Sequence, residues 1–333
     1  MRAGGHPNPL GAKAQKVTAP AVRKSAISSH LRVVDVSTPI AAKITLMSDP
    51  GNSSGDGRGG QGPDLRRRSP AEAVDEAKVH APTRGNRKLE RFLAAVNADP
   101  KVRAWWYMAQ ITSERLGMSD HSWVHVQVVV NIALRLLRLL DKAGVRPAMV
   151  SDHGMRPRDA EVVVAAGALL HDVGMSIHRA DHETYTLFLV AERLDSLLEG
   201  CYEEPERSVV VAEAMHTIIG HRRHGQPYTL EAGVVRVADA LDMAHGRSRL
   251  PVEGGQFGIH ALSAAAIDEV RIESGEQRPI SIEIEMNNSA GVFQVDDLLA
   301  TKLRGTPLEG HVEVIAQVKG ETEKRLLPSF RIE

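Results

Sequence analysis

The chain reads as mainly α, a helical bundle followed by a small α+β C-terminal module. Three observations predict this. Between residues 86 and 250 apolar residues recur at helical spacing, with no credible alternating run. One of these segments, Arg158–His171, is apolar on nearly every side and belongs at the centre of a bundle. Beyond 258 the pattern changes to alternation of apolar and polar residues, the signature of strands.

The elements follow in order. Residues 1–85 are rich in Gly, Pro, Ser and Arg and lack periodicity, so they read as a disordered extension, or as an upstream start with Met47 as one later candidate. Order is expected from Asn86, with helices over Lys88–Val96 and Val102–Leu116. Trp123–Ala143 sets His125, Val129, Ile132, Leu136 and Leu140 on one face and ends at Gly144. Asp181 is placed to cap a helix to Leu198, Pro205 to open one to Gly220, and Thr229 to cap a last one carrying Asp239 and Asp242. Residues 86–250 thus form a helical domain, with the boundary at Pro251–Gly258. In the module spanning 258–333, strands are expected over Glu269–Glu273, Ile280–Met286 and His311–Val318, with a helix over Val295–Leu303.

Composition narrows the function. Lys plus Arg (41) balances Asp plus Glu (42), and a net charge of -1 gives no electrostatic case for nucleic acid or membrane. Aromatics at 4% are too few for a base-stacking surface. The single Cys201 excludes an internal disulfide and a thiolate zinc site, and it suits the cytoplasm. No apolar run is expected to reach the roughly 18 residues of a membrane span. The exposed edge of the C-terminal sheet offers a surface for a homodimer.

Fifteen histidines are the unusual feature, and several stand where ionisable groups are costly. His171–Asp172 ends the apolar run Val162–Leu170, and a buried carboxylate beside an imidazole needs strong compensation. His125 lies on the apolar face of its helix, and Asp239 inside the apolar stripe Val234–Leu241. Separate explanations for each are harder to sustain than one metal ion that compensates all of them.

His125, the His171–Asp172 pair and Asp239, set in "DHSWVHVQVVVNIAL", "ALLHDVG" and "VVRVADALDM", resemble the ordered motifs of the HD superfamily of metal-dependent phosphohydrolases. The resemblance covers about residues 119–250. It implies the family's helical bundle and a first ion held by His125, His171, Asp172 and Asp239. The stretch "GHRRHGQPYTLEAGVVRVAD" is similar to the symmetrical diadenosine tetraphosphate hydrolases, a binuclear branch. On that likeness His182 and His221 hold a second ion, with Asp172 between the two, and His178 competes with His182. His216 lies five positions before His221, about 140° round a helix, so it reads as a neighbour or an outer partner, as does Glu183. His121 and His224 read as solvated or substrate-facing.

Two such ions can share a water, lower its pKa toward neutrality and hold a phosphate oxygen. Arg247 and Arg249, then Arg222, are the candidates to bind the substrate's phosphate, and Asp242 a candidate to orient a ligand or act in proton transfer. The substrate class is a small phosphorylated molecule, most readily a nucleotide. His/Asp donors accept Mn, Fe, Co, Ni, Zn or Mg. Met175 after Gly174 and Ala240 after Asp239 depart from the cyclic-dinucleotide and guanosine tetraphosphate branches. Two rival readings share the ligand set: a di-iron oxygenase and a non-catalytic ligand sensor, with Asn287–Gly291 as a candidate binding loop.

Overall fold

The computed structural model describes residues 69–222, 225–243 and 263–320. Ordered structure begins earlier than Asn86. Helix α1 (Pro70–Glu76) opens on a capping box in which Ser69 and Glu72 satisfy each other's backbone N–H groups, and Ala73, Ala77 and Val79 are buried in the core. The disordered reading therefore fails for residues 69–85, while residues 1–68 lie outside the described residues.

Helices α2 (Arg87–Ala98) and α3 (Pro100–Arg115) follow, separated by Asp99, whose carboxylate caps α3 through the Lys101 and Val102 amides. α4 (Trp123–Lys142) starts at Ser122 and buries His125, Val126, Val129, Val130, Ala133, Leu136 and Leu140. By length and apolar composition α4 would pass for a membrane-spanning helix, contrary to expectation. Its apolar stripe instead packs against α6 and α9 inside the bundle. A single turn, α5 (Ala148–Ser151), precedes α6 (Pro157–Leu170), whose residues Val162–Leu170 are all buried.

The end of α6 is where the chemistry begins, and its geometry is held by polar contacts from two other helices. The Leu169 carbonyl, left without a helical partner, accepts the Trp106 indole N–H from α3 at 2.8 Å. Thr186 donates its hydroxyl to the His171 carbonyl at 3.0 Å and accepts the Gly174 N–H at 2.8 Å. After Asp172 the chain makes a 3-10 turn, Val173–Ser176, before α7 (His182–Leu198). Asp181 precedes α7 in the left-handed region (φ 55°), and its side chain does not cap the helix as anticipated.

α8 (Glu206–Gly220) and α9 (Leu230–Leu241) close the bundle, and the Thr229 hydroxyl caps α9 through Ala232 N–H at 3.2 Å. Gly167 lets α6 and α8 touch: a Cβ there would lie 1.8 Å from Thr217 Oγ1. The C-terminal part carries β1 (Ile267–Ser274), β2 (Ile280–Met286) and β3 (Val312–Val318) in that order, β1 antiparallel and β3 parallel to β2. The β2–β3 connection runs through wide π-helical turns, Gln294–Ala300, and one α turn, α10 (Thr301–Leu303), where an ordinary helix was expected. Arg135 on α4 donates to the Ile272 carbonyl at 2.5 Å, fastening β1 to the bundle.

Candidate metal centre

Four histidines from four places in the chain converge. His125 projects from the first turn of α4, His171 ends α6, His182 begins α7 and His221 ends α8. All four are at most 5% exposed, and Asp172 and Asp239 between them are 6% and 7% exposed. Each histidine is fixed through Nδ1. The Nδ1–H of His171 donates to Ala168 O at 2.9 Å and that of His221 to Ile218 O at 2.5 Å, while His182 Nδ1 is held between Arg179 O at 3.0 Å and Arg179 Nη1 at 2.9 Å. His125 Nδ1–H donates to Asp242 Oδ2 at 2.6 Å. A carbonyl oxygen only accepts, so at His171 and His221 the proton sits on Nδ1, and in all four rings Nε2 is the nitrogen that faces inward.

Those nitrogens are aimed at each other. His125 Nε2 lies 3.3 Å from His171 Nε2, and His221 Nε2 lies 3.4 Å from His182 Nε2. Asp239 Oδ1 joins the first pair at 3.5 Å from His125 and 3.8 Å from His171. Asp172 spans both. Its Oδ2 is 3.3 Å from His171 and 3.6 Å from His125, while Oδ1 is 3.1 Å from His182 and 3.6 Å from His221. Two groups with metal-ligand spacing result: His125, His171 and Asp239; and Asp172, His182 and His221. Buried lone pairs and carboxylate oxygens packed this closely repel one another unless cations lie among them. The donor set therefore fits one or two divalent ions.

The local electrostatics agree. Without an ion between them the same Nε2 atoms serve Asp172 as donors: burial opposes its charge, but the neighbouring His171 and hydrogen bonds from His125, His171 and His182 hold its carboxyl well below the usual range. Burial lowers His221 in spite of Asp172. His182 is raised, since its hydrogen bond to Asp172 and the nearby Glu183 charge outweigh its burial. Glu183 is lowered in turn: burial opposes its charge, but the charges of His182, His221 and Arg222 and a backbone hydrogen bond together outweigh it.

The remaining expected residues separate. Asp242 stands behind His125, on the ring nitrogen turned away from Asp172 and Asp239, so it orients a histidine instead of facing the reacting side as a catalytic group. Glu183 Oε2 lies 3.5 Å from His182 Nδ1, an outer partner as anticipated. Arg222 is turned onto α7, 3.6 Å from Glu183 and bonded to Thr184, so it is not directed at the two clusters. His178 is exposed and accepts from the Ala180 N–H, and it joins neither cluster. His216 stacks on Tyr228 and accepts the Tyr228 N–H at 3.0 Å; burial lowers its pKa. Arg247, Arg249 and His224 lie outside the described residues.

Two residues were undervalued by sequence. His121 is 6% exposed, donates from Nδ1 to Ser119 O at 2.6 Å and sets Nε2 4.0 Å from Asp172 Oδ2. Its place one helical turn ahead of His125 was the available signal. Lys302 contacts Asp239 Oδ2 from the C-terminal part, and no local pattern marked it.

Asp242→Asn is expected to leave the fold intact and weaken metal retention about 10- to 100-fold, the usual effect of losing a partner that orients a ligand histidine. Metal titration of the purified variant followed by tryptophan fluorescence checks this. Retention equal to wild type would remove the orienting role.

A helical bundle with this donor set is the scaffold of a metal-dependent hydrolase. Residues 120–244, which hold all six candidate ligands, match the family described as HD domain. The chain is also 36% identical over 222 residues to "Uncharacterized protein MJ1020" of Methanocaldococcus jannaschii, covering 66% of this chain and 86% of the relative. The chain belongs to the HD-domain superfamily of metal-dependent phosphohydrolases. No solved structure matches it.

Proposed function

We propose that this protein hydrolyses a nucleotide or another small phosphoester at a centre of two divalent ions. The observation that carries the reading is Asp172, whose two oxygens face two separate pairs of histidines at 3.1–3.6 Å. A carboxylate so placed would hold a cation on each side, and such a pair would supply charge to the oxygens exchanged in phosphoryl transfer.

When bound, the ions supply Lewis-acid polarisation of a phosphoryl oxygen and a water of lowered pKa. The chain's own residues do the rest. His125, His171 and Asp239 define one position and His182 and His221 the other, each ring locked by its Nδ1 hydrogen bond. That locking matters because donors already in place need no reorganisation during the reaction. Glu183 and Asp242 keep two of the rings in register from behind.

The test is direct. Protein prepared with defined divalent metals is assayed for metal content, then for phosphate release from nucleotides, dinucleoside polyphosphates and phosphodiesters. About two ions per chain and chelator-sensitive release are expected. Tight nucleotide binding without turnover across the panel would replace the hydrolase with a sensor. Oxygen-dependent cleavage with an EPR signal after iron loading would replace it with an oxygenase.

A further inference from the structure

We propose that the C-terminal module contributes to the site the cation that receives the substrate's phosphoryl group, and that this cation is Lys302. The inference rests on the phosphohydrolase reading and extends it to a residue well beyond the matched span of 120–244.

Lys302 lies in α10, and its ammonium contacts Asp239 Oδ2, the oxygen not turned toward His125 and His171. Its side chain is 16% exposed, so it is not sealed from solvent. The placement is built. Arg236, itself 3% exposed and one turn ahead of Asp239, donates from Nε to the Lys302 carbonyl at 2.9 Å. The same guanidinium donates from Nη1 to Gly220 O at 3.1 Å and Gly225 O at 2.6 Å. One buried side chain thus ties α10 to α9 and to the segment that carries His221.

The turns leading to Lys302 are π-helical, a form that is rare and concentrated at functional sites. Wider turns change the angular phase of the residues after them, and here Leu299 and Leu303 are buried while Lys302 meets α9.

Charge decides what the lysine is for. A cation beside a ligand carboxylate repels the metal ions that the carboxylate serves, so it gains the site nothing if only ions are bound. Two divalent ions would bring four positive charges against the four carboxylates of Asp172, Asp239, Asp242 and Glu183, and Lys302 then tips the balance to positive. The ligand this favours is an anion. An ammonium has three protons, and Asp239 Oδ2 uses one, leaving donors for phosphoryl oxygens. Arg222, the one expected phosphate-binding residue among the described residues, is engaged with Glu183 and Thr184.

The experiment uses the full chain loaded with Mn and inorganic phosphate as the probe, measured by calorimetry beside metal content and KM. K302M is expected to lose about 10- to 100-fold in phosphate affinity, the size of a lost charge-assisted hydrogen bond. KM should rise by a similar factor with metal content unchanged, and K302R should restore most of the affinity. Unchanged phosphate affinity in K302M overturns the assignment, and so does parallel loss of metal, which would make Lys302 a support for Asp239 only. If wild type binds phosphate through Lys302 yet turns over no phosphoester, the hydrolase reading fails and the anion assignment stands.

Discussion

Asp172→Ala is expected to abolish turnover and to release metal from both halves of the site. No other candidate ligand reaches the two groups at once: His125, His171 and Asp239 gather on one side, His182 and His221 on the other, and only Asp172 has an oxygen toward each. Removing it leaves His182 and His221 with no carboxylate, and the other side with Asp239 alone, whose charge Lys302 already offsets. Activity should fall by roughly a thousandfold or more, since metal-supplied stabilisation amounts to several kcal/mol. Stability gives an independent readout. A ligand that binds only the folded chain stabilises it by RT ln(1 + [L]/Kd), so wild-type Tm should climb with added Mn while the variant's stays flat. Without metal the variant should be less stable than wild type at neutral pH, because the imidazole charge and hydrogen bonds that keep Asp172 ionised outweigh its burial and are lost with it. A metal-dependent rise in the Tm of Asp172→Ala would mean that the centre is held by other atoms.

How far the sequence could see is set by the range of each interaction. His125, His171, Asp172 and Asp239 stood out because a burial pattern is local: an ionisable residue in an apolar run is visible without knowing what it meets, whereas His182 and His221 were pointed to only by the family resemblance. The helices were legible for the same reason, and α2, α3, α4 and α6 begin and end within two residues of expectation. Even α1 had its signal in Ser69–Pro70–Ala71–Glu72, a capping box hidden in a region judged by composition. Contacts between distant segments were not legible. Asp242 could be placed on the same helix face as Asp239, but only the packing of α9 on α4 shows that it serves His125. Lys302 and Arg236 look like ordinary surface charges until α10 is laid on α9. The parallel pairing of β2 with β3 likewise follows from where the intervening turns go, which alternation alone does not encode.

Gly174→Ala should show that the second group of ligands depends on a backbone contact as much as on side chains. Gly174 follows the His171–Asp172 pair by two residues, in the 3-10 turn that passes beneath the first turn of α7. A Cβ at this position would lie 1.9 Å from the His182 carbonyl, 2.6 Å from Thr186 N and 2.8 Å from Thr186 Oγ1. Two of these are backbone atoms of the helix that begins with His182, so no rotamer change relieves the overlap and α7 itself must shift. Overpacking of this kind costs about 1–3 kcal/mol. For a domain of this size that lowers Tm by roughly 2–4 °C per kcal/mol. The functional effect should be larger and selective. Displacing the start of α7 carries His182 Nε2 away from Asp172 Oδ1, now 3.1 Å distant, and loosens Thr186, which holds the end of α6. His125 and Asp239 sit on α4 and α9 and are not touched by the overlap, and His171 is reached only through the Thr186 hydroxyl on its carbonyl. Metal content should therefore drop by about half, with turnover lost, where Asp172→Ala loses both ions. Gly200→Ala is the control: nothing lies within 4 Å of its Cβ position, so it should be neutral or slightly stabilising through the unfolded chain. Full metal content in Gly174→Ala would separate the second site from the position of α7 and leave this close approach a matter of packing alone.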